Sequence, residues 1–204
     1  MNAFLIPGGG SRLAPLADAM IKRAQKAHSN GDYFPVWGTC LAFEWIVESI
    51  GGKAAIGPGF DSEDLPADLN FTDAASNSRL FAKANSSLMQ WFAHGNITYN
   101  NHKQGIMPSK EKQDSGLTST INVLATSLDR EGKPFVAVLE GKDSLPIYGS
   151  QFHPEKIEFV PIVFVQIASY CMQYRRNAVY TVPLHTIAFG LVVLRWSTCG
   201  VWRK

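Results

Sequence analysis

Apolar residues recur along this chain with two different periods, and the change from one to the other marks out its elements. Ala3-Phe4-Leu5-Ile6 is a short unbroken apolar run ending in Pro7-Gly8-Gly9-Gly10. A run of that length closed by glycines predicts a buried strand entering a turn. Over residues 13–28 the residues Leu13, Leu16, Ala17, Met20, Ile21 and Ala24 fall three and four apart, which predicts a helix with one buried face. Asn30-Gly31-Asp32 stops it. Residues 33–37, Tyr-Phe-Pro-Val-Trp, predict a second buried strand. Gly38-Thr39-Cys40 then turns the chain into a helix over residues 41–50, apolar on most sides except at Glu44 and Glu48, which Gly51-Gly52 ends.

Residues 53–116 are polar and rich in Asn, Ser and Asp, and predict loops with short elements. Strand patterns return at residues 121–125, 135–139 and 147–152, punctuated by Gly132-Lys133-Pro134 and Gly141-Lys142-Asp143. Strand, helix, strand, helix and then strands predict an α/β sheet covered by helices.

Composition changes this picture at one place. From Val160 to Lys204 there is no Asp or Glu, while Arg175, Arg176, Arg195, Arg203 and Lys204 are basic. Residues 1–159 therefore carry 14 basic and 17 acidic side chains. The break predicts two parts, a domain over 1–159 and a divergent apolar, acid-free tail over 160–204. The tail's apolar runs, 159–165 and 187–194, fall short of the roughly 20 residues that span a bilayer, so no membrane partner is expected. A formal net charge of +2 is too mild for a nucleic-acid protein. Three cysteines are too few for a disulfide framework. The N-terminus lacks the basic and apolar regions of a signal peptide, and a chain opening directly on a core strand predicts an N-terminal truncation.

Three segments carry candidate chemistry. Gly38-Thr39-Cys40-Leu41-Ala42 lies between an apolar strand and an apolar helix, with small residues two before and two after the cysteine. That is the pattern of a nucleophile elbow, where a sharp strained turn presents the nucleophile at a helix start. The other reading of Cys40 is a buried inert thiol. Phe152-His153-Pro154-Glu155 follows a strand, so His153 can face a cleft with a carboxylate close enough to fix its tautomer, a cysteine, histidine and acid together making a triad. The glycines after the first strand fit neither a P-loop nor G-x-G-x-x-G, and suit the presentation of backbone N–H groups to an oxyanion.

Together, Pro7-Gly8-Gly9-Gly10, the phrase Phe34-Pro35-Val36-Trp37-Gly38-Thr39-Cys40-Leu41-Ala42-Phe43-Glu44, Leu139-Glu140-Gly141, and Pro146-Ile147-Tyr148-Gly149-Ser150-Gln151-Phe152-His153-Pro154-Glu155-Lys156 resemble the gamma-glutamyl hydrolase family. That family lies within the class I glutamine amidotransferase-like superfamily. The resemblance covers residues 3–159. It implies a three-layer sandwich with a central, mostly parallel sheet, lacking here the family's first strand, helix and next strand. It implies Cys40 as nucleophile, His153 as base and Glu155 as its orienter. Backbone N–H groups of Leu41 and of Gly9 or Gly10 would hold the oxyanion, and His102, after Asn101, would touch substrate. Ala42 stands where the family usually has glycine.

The function this implies is hydrolysis of γ-glutamyl peptide bonds through a thioester, with poly-γ-glutamate conjugates of folate as the small-molecule substrate. No cofactor is implied, and Cys171 and Cys199 have no zinc-ligand spacing. A homodimer is the oligomer the resemblance allows. A vacuolar, lysosomal or extracellular location is implied, in agreement with three sequons, Asn70-Phe71-Thr72, Asn85-Ser86-Ser87 and Asn96-Ile97-Thr98. Two alternatives stay open: a glutaminase domain that passes ammonia to a synthetase, since the same triad serves both, and a catalytically impaired fragment.

Overall fold

The computed structural model describes residues 3–9 and 14–156. Gly10, Leu13, the acid-free segment 160–204 and its two cysteines lie outside the described residues.

Strand β1 (Phe4–Ile6) enters the sheet where the apolar run predicts it, and α1 (Ala14–Ser29) follows, burying Ala17, Ile21 and Ala24 at the expected spacing. Strand β2 (Val36–Thr39) begins three residues later than the sequence predicts and ends two later. The cause is Pro35, which has no N–H to give a ladder. The hydrogen bonds therefore begin with Val36 N–H donating to Pro146 O at 2.8 Å, and the ladder continues until Cys40 N–H donates to Ser150 O at 2.8 Å. Helix α2 (Leu41–Gly51) begins immediately, and Gly52, at φ 81, ends it as expected.

The middle of the chain departs from its expectation of loops. It holds β3 (Gly57–Ala67) and β5 (Thr98–Gly105), which pair antiparallel as a separate two-stranded ribbon. Pro58, Gly59 and Pro66 disguise β3 in the sequence, and register shifts between Pro58 and Ser62 and between Ser62 and Leu65 break its alternation. Strand β4 (Asn70–Phe71), α3 (Asp73–Ser76) and α4 (Ser86–His94) fill the space between, with α5 (Pro108–Gln113) and α6 (Ser115–Thr120) after the ribbon. Strands β6 (Ile121–Leu128) and β7 (Pro134–Gly141) are longer than their apolar patterns, and β8 (Ile147–Ser150) is shorter. After Ser150 the chain leaves the ladder, and the Ser150 hydroxyl donates to Phe152 O at 3.0 Å.

The main sheet has the order β1-β2-β8-β7-β6-β4. β1, β2 and β8 run parallel, and β7, β6 and β4 extend the sheet antiparallel. One face is covered by α1, α2 and α6 around Ile21, Phe43, Ile46 and Leu117; the other is covered by α3, α4 and the ribbon around Phe60, Phe81 and Phe92. This is the layered α/β architecture implied by the resemblance, and it puts the C-terminal ends of the parallel strands β1, β2 and β8 side by side. The Pro-Gly-Gly-Gly turn, Cys40 and His153 all follow those ends. Open α/β sheets bind ligands in the same place.

Candidate active site

Cys40 is the residue between β2 and α2, and its backbone has φ 51 and ψ −110. A non-glycine residue rarely adopts a positive φ, and the strain persists here because both flanks are fixed. Upstream, the β2–β8 ladder holds the Cys40 N–H; downstream, Cys40 O accepts from Glu44 N–H at 3.1 Å and starts the helix. The small residues flanking the cysteine are required by space. A Cβ on Gly38 would lie 2.7 Å from Ala42 O and 2.8 Å from Ile46 Cδ1. Ala42 itself is fully buried in the fold, where its methyl is accommodated.

Glu155 and His153 meet across a short turn, with His153 Nδ1 and Glu155 Oε1 2.6 Å apart. A carboxylate accepts, so Nδ1 carries the proton and Nε2 is left for Cys40, which lines the same cleft. The strand β5 braces this histidine from behind: His153 N–H donates to Tyr99 O at 2.7 Å, and the two rings meet edge-on at 6.3 Å. Burial disfavours a charged imidazole, but Cys40 and Glu155 outweigh it and raise His153 to about 9.

Gly8 is packed against both partners. A Cβ there would lie 2.8 Å from His153 Cε1 and 2.9 Å from Cys40 Cβ, so the first glycine of the turn allows the cysteine and histidine to sit together. Gly9, at φ 81, is exposed and lines the cleft. Gly8→Ala is expected to push the two apart and slow alkylation of Cys40 by iodoacetamide by about tenfold or more. Mass spectrometry of the alkylated peptide gives the rate; parent-like alkylation would show that the turn yields without cost.

Gly8, Gly9, Cys40 and His153 line a cleft of about 330 Å³, together with Leu41, Glu44, Asn101, His102, Lys103 and Gln104. Leu41 is the first residue of α2, where N–H groups have no intrahelical acceptor and point out of the helix start. His102 is in the cleft wall, 5% exposed against 7% for Cys40. Its Nδ1 lies 2.7 Å from Gln104 O, and since a carbonyl only accepts, Nδ1 bears the proton. Nε2 has no hydrogen-bond partner. Burial, with the nearby His153 adding to it, pulls this imidazole down to about 4 and keeps it neutral.

Three residues that support this site, Glu44, Gln151 and Tyr99, have no role in the sequence pattern. Glu44, one helical turn after Cys40, is 5% exposed and accepts from Gln151 Nε2 at 3.1 Å. Burial raises its carboxyl to about 7. The signal for Glu44 was present, as an acid on an otherwise apolar helix. Gln151 and Tyr99 had none, because their contacts join distant parts of the chain. Among the described residues no group of His, Cys, Asp and Glu could hold a metal ion, and no helix is long and apolar enough to cross a membrane.

A layered α/β sheet bearing a strained cysteine elbow faced by a histidine and a glutamate defines a class, and the sequence profile described as glutamine amidotransferase class-I matches residues 1–159. The chain belongs to that family. Among its relatives, gamma-glutamyl hydrolase B of Dictyostelium discoideum is 39% identical over 166 residues, which cover 76% of this chain and 46% of that protein. The human gamma-glutamyl hydrolase is 34% identical over 165 residues, covering 78% and 51%. Gamma-glutamyl hydrolase 1 of Arabidopsis thaliana is 30% identical over 163 residues, covering 78% and 47%. The chain spans about half the length of the curated relatives it matches.

Proposed function

We propose that the cleft is a cysteine hydrolase site for γ-glutamyl peptide bonds. The observation that carries this reading is the juxtaposition of Cys40 and His153 in one cleft, with Glu155 hydrogen-bonded to the imidazole, in a chain whose relatives are named for that activity. Cys40 attacks the side-chain carbonyl carbon of a γ-linked glutamate, and its sulfur forms a thioester as the C–N bond breaks. His153 passes its proton to the leaving amine, then takes one from the water that cleaves the thioester. Glu155 holds the imidazole in the tautomer that keeps Nε2 toward the sulfur. The N–H groups of Leu41 and Gly9 stabilise the oxyanion; the Cys40 N–H is committed to Ser150 and takes no part. Gly10, the other candidate donor, lies outside the described residues. His102 serves as a neutral acceptor in the wall.

The substrate class we propose is a poly-γ-glutamate conjugate such as a folate, and the compartment a vacuole, a lysosome or the exterior. A homodimer belongs to the same proposal. Residues 1–159 form the catalytic segment and 160–204 a separate one. The family match ends at residue 159, where the acidic residues also run out.

Rapid acid quench of the full chain with a γ-glutamyl peptide tests the reading. The expected product is a glutamyl adduct on the peptide containing Cys40, found by mass spectrometry and removed by hydroxylamine. Turnover with no adduct, unchanged after iodoacetamide, would assign the chemistry elsewhere. Ammonia release from glutamine with γ-glutamyl peptides left intact would favour the amidotransferase alternative.

A further inference from the structure

The turn between β6 and β7, residues 129–133, lines no part of the cleft, yet it grips the ribbon that supplies the cleft wall. Asp129 opens it, 6% exposed, with a carboxylate that accepts three backbone N–H groups. Oδ1 takes those of Glu131 and Lys133, at 3.0 and 2.8 Å, and shapes the turn itself. Oδ2 reaches across to β3 and takes the N–H of Asp61 at 3.1 Å. The rest of the turn bonds the same strand. Arg130 N–H donates to Asp61 O at 3.2 Å, and its guanidinium donates to Asp61 Oδ1 and Asp64 O, both at 2.9 Å. Lys133 Nζ donates to Gly59 O at 2.7 Å and Pro58 O at 3.2 Å, and lies 4.1 Å from the centre of the Phe60 ring.

These bonds fall where β3 loses its register with β5. Between Pro58 and Ser62, and again between Ser62 and Leu65, the pairing shifts, so Gly59, Asp61 and Asp64 face no residue of β5. Backbone groups freed by such irregularities need other partners, and the turn provides them. Below the grip, an aromatic block joins it to the cleft wall. Phe60 of β3 meets Phe135 of β7 edge-on at 5.9 Å, and the His102 ring lies 4.8 Å from Phe135 and 6.2 Å from Phe60. Packing this close passes a displacement on rather than absorbing it. Tyr99, the anchor of His153, pairs with Pro66 beyond the second shift, outside the gripped stretch.

We propose that Asp129 is a positioning residue: by holding β3 on the β6–β7 turn, it sets where residues 101–104 of β5, His102 among them, stand relative to Cys40. Its kinetic consequence rests on reading the cleft as a γ-glutamyl hydrolase site; the placement of His102 does not. Since the support of His153 lies outside the grip, the effect falls on substrate fit rather than on the nucleophile.

Asp129→Asn isolates the contact. Its amide oxygen still accepts from Glu131 and Lys133, but its NH₂ group meets the Asp61 N–H, donor against donor. With a γ-glutamyl peptide, KM is expected to rise about fivefold or more while kcat and alkylation of Cys40 by iodoacetamide stay within about twofold of the parent. Ring ¹⁵N NMR titration of His102 in the full chain gives a readout that needs no turnover. The groups facing that ring are Gln104 O, His153 and Asp129, with Phe60 and Phe135. Burial holds the imidazole down to about 4, while the Asp129 charge pulls it up. Loss of that charge alone would lower it further, whereas a displaced wall admits water and raises it toward 6.5. A rise is the expected result. Lys133→Met, which keeps the charge and removes the bonds to Pro58 and Gly59, should also raise it, and decides by the same signs if Asp129→Asn does not fold. An unmoved or lowered His102, or an unchanged KM, overturns the proposal. A parent without turnover counts against the hydrolase reading alone, and the His102 titration then decides.

Discussion

Cys40→Ala is expected to abolish γ-glutamyl hydrolysis, lowering turnover by about 10⁴-fold or more, because it removes the atom that forms the covalent intermediate. His153→Ala should fall nearly as far, since the same imidazole both activates the sulfur and protonates the leaving amine. Glu155→Gln should retain about a hundredfold more activity than His153→Ala, because it removes charge and tautomer control while leaving the ring in place. The residue has a second anchor that this substitution does not touch, its backbone N–H donating to Tyr99 O, with the ring edge-on to Tyr99. Progress curves on a γ-glutamyl peptide, read by mass spectrometry, rank the three. Cys40→Ala within tenfold of the parent would remove the covalent mechanism. Equal, small losses in the other two would move the base elsewhere, with His102 the next imidazole in the cleft.

The part of this site written in the sequence is the part built from neighbours along the chain. Cys40 is legible because its turn needs small residues at positions 38 and 42, and the backbone at φ 51 explains that need. His153 and Glu155 are legible because they flank a single proline after a strand. The α1 and α2 faces follow directly from three- and four-residue spacing. What the sequence hid was everything assembled across distance. The β3–β5 ribbon carries prolines, glycines and register shifts that erase the period-two signal, so its eleven- and eight-residue strands look like loop. The ribbon supplies Tyr99 O and brings His102 into the wall. Glu44 and Gln151 are 107 residues apart in sequence, and only the parallel packing of β2 and β8 brings them together.

The three displaced titrations in the cleft predict how stability follows pH. Glu44 ionises near 7 when folded, against an ordinary 4.5, so the folded chain holds its proton longer and stability falls as pH rises from 4.5 to 7. His102 works against it: held near 4 against 6.5, it contributes stability that is lost as pH falls from 6.5 to 4. Each displacement corresponds to roughly 3 kcal/mol at about 1.4 kcal/mol per unit, so the two nearly cancel between pH 4.5 and 6.5. Glu111 and Glu140, both raised by burial, add to the Glu44 side and shift the optimum toward acid. His153 has no opponent above this range. Its raised value, near 9 against 6.5, gives stability that is complete below 6.5 and lost as pH climbs through 9, again roughly 3 kcal/mol. Against a total of about 5–15 kcal/mol this is a large share, and it corresponds to a fall in melting temperature of roughly 6–12 °C between pH 6 and pH 9. Thermal unfolding of the full chain across that interval measures it. His153→Gln should flatten the decline above pH 6.5, and Cys40→Ala should weaken it, because Cys40 stands ahead of Glu155 among the influences that raise the imidazole. A slope between pH 6.5 and 9 that survives His153→Gln unchanged would show that another group controls it.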